Sequence, residues 1–148
     1  MNSPDDITNR SGTLLMNART RAKLRRTDPY EVREAYEWVR LAKGRKSLAQ
    51  ANESALMAST PLVAEVRQDS KQTLGEALRG VNERRVRRLL AADREEIVDQ
   101  LRKAVRLIGR SVNIEDLVAT AVYWGEQRRR SLAREYFKQG DAEDGQRE

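Results

Sequence analysis

Arg84, Arg85, Arg87 and Arg88 fall within five consecutive positions of the stretch VNERRVRRLLAADR. A guanidinium is planar, forked and permanently charged, so it suits phosphate oxygens. A second cluster, Arg128, Arg129, Arg130 and Arg134, follows the aromatic pair Tyr123-Trp124, and a weaker one joins Arg21, Lys23, Arg25 and Arg26. Arg102, Lys103, Arg106 and Arg110 add charge between them. Few other chemistries are open to the chain. It has no histidine and no cysteine. That removes the commonest general base, every thiolate nucleophile, every disulfide and the usual zinc ligands.

Carboxylates and lysines remain, but their places have simpler explanations. Glu95, Glu96, Asp99, Glu115 and Asp116 stand at expected helix starts, where acids complement the helix dipole. GRKS at 44–47 does not make a phosphate loop. The required earlier glycine is Val39, and Arg45 separates Gly44 from Lys46. The residues therefore predict no enzyme, no metal and no cofactor.

The arginines need helices to position them. With Val86 at the centre of a helical wheel, Leu89 and Leu90 share its arc and face a core. Arg84 and Arg88 fall on the opposite side, flanked by Arg85 and Arg87. Glu83 stands four residues before Arg87 and can pair with it, whereas Arg84 and Arg88 are like charges at the same spacing. Such a pair costs on the order of 0.2–0.5 kcal/mol in an isolated helix. A polyanionic partner would account for it.

Composition agrees with helices. Only 8 Gly and 3 Pro occur in 148 residues, and the abundant Ala, Leu, Arg and Glu favour helix. No alternating Val/Ile/Thr run is bounded by turn residues, so strands are not expected. The predicted class is an all-α helical bundle of two small lobes. Formal net charge is +6; each end is net −2, which leaves the body net +10. Trp38, Tyr36 and Trp124 read as core anchors, and no aromatic platform for stacking bases stands out. The start, MNSPDDITNRSG, has no apolar signal region, and no run approaches the roughly 20 apolar residues of a membrane span. A cytoplasmic location without membrane contact is expected.

Along the chain, residues 1–10 read as a flexible tail, 11–72 as an N-terminal lobe, 73–138 as a C-terminal lobe and 139–148 as a disordered acidic tail. A first helix is predicted from Gly12 to Arg26, with Ser11 as cap. Asp28, Pro29 and Glu31 signal a second, which Gly44 ends. A third is expected from Leu48 to Ala58, interrupted by Pro61, before an exposed loop at 67–72. Thr73 caps a brief turn that Gly80 stops. The arginine helix then spans Asn82 to Ala92. Asp93 and Glu96 box the start of the next, which Gly109 closes. Asn113 caps one long last helix reaching Lys138, with Gly125 as a kink.

LGEALRG, then VNERRVRRLLAADR, then VYWGEQRRRSLAREYF resembles the small subunit of the type I-E CRISPR surveillance complex Cascade, the CasB family. The resemblance is clearest from Thr73 to Phe137, and KLRRTDPYEVREAYEWV adds to it. It implies a non-catalytic helical protein in antiviral defence, present as two copies arranged head to tail in the complex. It also implies partners: the backbone and large Cascade subunits with their guide RNA, and the target and displaced DNA strands of the R-loop. Carried onto this chain, Arg25, Arg26, Arg84, Arg85, Arg88, Arg94, Arg128 and Arg129 become candidate strand contacts. The Arg84/Arg88 face and the Arg128–Arg130 face are expected to form one strand-binding surface.

Two other readings fit the residues. A stand-alone helical DNA-binding regulator would bind duplex DNA selectively by itself. A structural adaptor would pair its arginines with acidic protein surfaces and would assemble without nucleic acid.

Overall fold

The computed structural model describes residues 13–138; the expected tails at 1–10 and 139–148, and the Ser11 cap, lie outside the described residues. The fold is all-α. In chain order the helices are α1 (Ala18–Arg26), α2 (Arg33–Lys43), α3 (Glu53–Ala58), α4 (Thr60–Val63), α5 (Leu74–Ala77), α6 (Glu83–Leu90), α7 (Ile97–Leu107), α8 (Ile114–Val122) and α9 (Glu126–Phe137). Short 3-10 turns occupy Pro29–Glu31, Lys46–Leu48 and Leu78–Gly80.

Asparagine sets many of the helix starts. The side chains of Asn17, Asn52, Asn82 and Asn113 accept from the backbone N–H groups of Thr20, Ser54, Arg85 and Asp116. Each satisfies a donor that the first helical turn leaves open. Thr73 caps α5 as expected, and Glu76 completes a capping box with it. Asp93 and Glu96 also bond reciprocally, but the α-helix behind them starts at Ile97.

Several boundaries differ from expectation. Among the described residues the first helix begins at Ala18, inside the expected 12–26 span. Residues 13–17, inside the expected span, are not helical, and Leu14 and Met16 among them are buried. Asp28 and Pro29 open a 3-10 turn, and α2 proper starts at Arg33. Asn52, not Leu48, precedes α3. The expected last helix is two helices, broken at Tyr123–Gly125 so that Trp124 turns inward with 1% of its surface exposed.

One buried cluster runs from Leu14 to Leu132 and includes side chains from both halves of the chain. Trp38 and Trp124 anchor it, as expected. Their indole N–H groups donate to the carbonyls of Leu14 at 2.9 Å and Ala92 at 2.8 Å, so neither buried donor is left open. Tyr36 is not a core residue: it is 47% exposed. The buried stripe of α2 is Ala35, Trp38, Val39 and Ala42, and Tyr36 lies beside it.

The sequence predicts no strand, yet Gln68–Asp69 (β1) pairs in parallel with Ser111–Val112 (β2). Two residues are too short to show a period. Their pairing is long-range, and it is extended by Arg67 and Gln68 donating to the Arg110 carbonyl and by Ile114 donating to Asp69 Oδ1 at 3.0 Å. Gly109 (φ 76°) and Arg110 (φ 61°) both take the left-handed conformation to turn the chain from α7 into β2. That conformation is uncommon for a residue with a side chain.

Candidate nucleic-acid interface

On α6, Val86 and Leu89 are buried toward α7. This leaves Arg84, Arg85, Arg87 and Arg88 exposed. Arg87 bonds Glu83 at 2.6 Å and lays its guanidinium 5.1 Å from the centre of the Phe137 ring. The side chains of Arg84, Arg85 and Arg88 have no ion pair or hydrogen-bond partner among the described residues. Arg85 and Arg88 border a groove between α6 and α7, with Lys103 on the same rim and Val86, Leu89 and Ala104 within.

Helix α9 packs on α5 and reaches the segments that flank α6. Tyr136 Oη donates to the Val81 carbonyl at 2.7 Å at one end, and Arg129 Nη2 to the Ala92 carbonyl at 3.3 Å at the other. Side chains of α9 thus tie it to both ends of the arginine-rich α6. The arginines of the two helices have different surroundings, however. Arg129 is half-buried, 5.5 Å from the Trp124 ring centre, a cation–π contact. Arg94 Nε donates to the Trp124 carbonyl at 3.2 Å. Together they hold the corner between α8 and α9. Arg128 reaches Asp116 at 3.9 Å, and Arg130 pairs with Glu126 at 2.8 Å.

Arg25 and Arg26 stand exposed in the last turn of α1, without side-chain partners among the described residues. Helix α1 packs on α2 and α4, whereas α6 packs on α7. The α1 pair is thus carried by a different set of elements from the α6 face.

Arg102, Arg106 and Arg110 do not extend the basic surface as the sequence suggests. They converge on Glu65, whose side chain is 5% exposed. Arg106 and Arg110 approach its carboxylate to 2.7 and 2.8 Å, and Arg102 to 3.1 Å. Burial alone would raise the Glu65 carboxyl. The hydrogen bonds from Arg106, Arg110 and Arg102 outweigh it and hold the group at about 2. Glu65 escaped the sequence reading because it stands alone in an apolar run. The spacing 102, 106, 110 was the available signal, since it places three cations on one helical stripe.

Among the described residues no cluster of acidic side chains could hold a metal ion, and no helix is long and apolar enough to cross a membrane. The arrangement presents permanent cations on short, capped helices. It can hold phosphate oxygens without reading bases.

A family model described as CRISPR-associated protein Cse2 matches residues 20–137. Among solved structures, the fold is similar to a chain in the crystal structure of E. coli Cascade bound to a PAM-containing double-stranded DNA target. The TM-score is 0.60 at 19% identity, over 92% of this chain and 96% of that one. At that identity the likeness concerns the fold alone. No curated protein matches.

Proposed function

The chain belongs to the CRISPR-associated Cse2 family, and on that premise we propose that it is the non-catalytic small subunit of a type I-E Cascade complex. Two copies lie head to tail against the backbone and large subunits. The guide RNA reads the target by base pairing, as in other RNA-guided effectors. This subunit holds the target and displaced strands of the R-loop through their sugar–phosphate backbones.

The observation that carries the reading is the α6 face. Arg84, Arg85 and Arg88 share one capped helix and have no counter-charge among the described residues. Like charges on one helix weaken the free protein slightly, and a bound polyanion offsets that repulsion. Arg25 and Arg26 offer a second cationic point. Arg94, Arg128 and Arg129 complete the proposed contacts. Each guanidinium has five N–H donors, so one internal bond leaves others for phosphate.

The test is charge reversal, R84E with R88E. Both side chains are exposed, so the fold should persist. The variant complex should release target DNA faster at moderate salt. A parental lifetime on target DNA would remove the α6 face from the account.

A further inference from the structure

Tyr36 and Tyr30 are large hydrophobic side chains left out of the core, 47% and 53% exposed. They stand together on the wall of a cleft of about 340 Å³ between α2 and α3. That volume falls within the range of small-ligand sites. Val39 and Met57 contribute apolar lining, Arg40 and Lys43 two cations, and Glu53 one acid.

The Tyr36 ring and the Tyr30 backbone are held in place. Tyr36 Oη donates to the Tyr30 carbonyl at 2.9 Å, and Asp28 Oδ1 accepts from the Tyr30 N–H at 3.0 Å. Ligand binding at the Tyr36 ring would therefore cost little ordering. Arg33, Tyr36, Arg40 and Lys43 recur at spacings of three, four and three, which puts them on one face of α2. The side chains of Arg33 and Arg40 have no partner among the described residues, while Lys43 Nζ donates to the Ala51 carbonyl at 3.3 Å. An aromatic wall interleaved with free cations is the arrangement that holds single-stranded nucleic acid by stacking.

We infer that this cleft takes an unpaired nucleobase of a single strand, with Arg33 and Arg40 on its phosphates. The inference rests on the strand-holding reading above and deepens it, adding a base-stacking site to a surface otherwise built for backbone contact. An apolar protein anchor would fit the tyrosines, Val39 and Met57, but it gives no role to the cations along the face. A charged strand with flat bases uses both.

The experiment takes the full chain and two short single-stranded DNAs of equal length: one carrying 2-aminopurine, the other abasic sites in place of bases. Stacking on one aromatic wall should make the base-bearing strand bind about fivefold or more tighter and quench 2-aminopurine fluorescence. Y30L with Y36L keeps the apolar bulk. It should erase the preference and the quench while leaving affinity for the abasic strand unchanged. Y30L alone, at the more exposed ring, should show part of the effect should the double variant fail to fold. Equal binding of both strands by the parent would overturn the cleft and leave backbone holding intact. Binding of neither strand would overturn both. Loss of the double variant from the assembled complex, with base preference retained, would make the cleft a protein contact instead.

Discussion

Glu65 and Arg110 meet at 2.8 Å although 45 positions separate them in sequence. Arg110 reaches the carboxylate from a left-handed backbone position, directly before the strand that pairs with β1. The contact and the strand pair fasten the same two segments to each other. Glu65→Gln should therefore cost far more than a surface change. Removing one partner of a buried ion pair costs about 3–5 kcal/mol. The arginines here are partly open to water, so the low end is expected, on the order of 3 kcal/mol, read by urea unfolding. A loss below about 1 kcal/mol, the range of surface pairs, would show that the cluster is not a fastening.

The same group sets a pH dependence. The folded carboxyl is held at about 2, against an ordinary value of 4.5. A depressed acid contributes stability in full above its unfolded value and loses it as pH falls toward the folded one. The stability gap between the parent and Glu65→Gln should thus narrow from pH 6 to pH 3. A gap that stays constant over that window would contradict the placement of the charge.

Glu135 has the opposite sign. Burial first, then the neighbouring carboxylates of Asp116 and Glu76, raise its carboxyl. A raised acid favours the fold when protonated and weakens it as pH rises through the folded value. Glu135→Gln is expected to stabilise the protein at pH 7, with the gain fading in acid. Destabilisation at pH 7 would mean that the carboxylate has a favourable partner.

Gly75 lets α5 approach α9. A Cβ there would collide with the Cβ of Glu135, which cannot swing away as a side-chain tip could. Helix propensity favours alanine by about 1 kcal/mol, but overpacking costs about 1–3 kcal/mol. Gly75→Ala should lower the unfolding midpoint. Gly80→Ala is the control, because a Cβ there meets nothing within 4 Å. A neutral Gly75→Ala would show that the two helices separate easily.

Much of the fold is legible locally, because caps and stops act over three or four residues. Thr73, Asn82, Asn113, Gly44 and Gly109 all mark ends in the sequence as they do in the structure. The stripe of Val86 and Leu89, and with it the outward arginines of α6, follows from the same periodicity. What stayed hidden depends on distant partners. Leu14 and Met16 look like the first turns of a helix, yet they are buried from a non-helical segment. The break before α9 is set by Trp124, whose ring and carbonyl are held by Arg129, Arg94 and Ala92. Tyr36 stands four residues after Val32 and three before Val39, the spacing of a helical stripe, yet the buried stripe runs through Ala35 and Trp38 instead. Arg102, Arg106 and Arg110 resemble Arg84 and Arg88 in sequence. The difference between a core clamp and a free surface is a single acid 37 residues or more upstream.

Salt dependence separates phosphate contact from general attraction. Each phosphate neutralised on a single strand contributes a slope of about 0.7 in log affinity against log salt. Replacing Arg84, Arg85 and Arg88 with alanine should reduce the slope for single-stranded DNA by about 2. An unchanged slope would place those arginines away from the strand.

The most direct measurement is the R-loop lifetime of the guide-RNA complex assembled with and without this subunit, challenged by competitor DNA. The account predicts that omission shortens the lifetime by about tenfold or more, equivalent to about 1.4 kcal/mol of barrier. An unchanged lifetime, with the subunit absent from the purified complex, would contradict it.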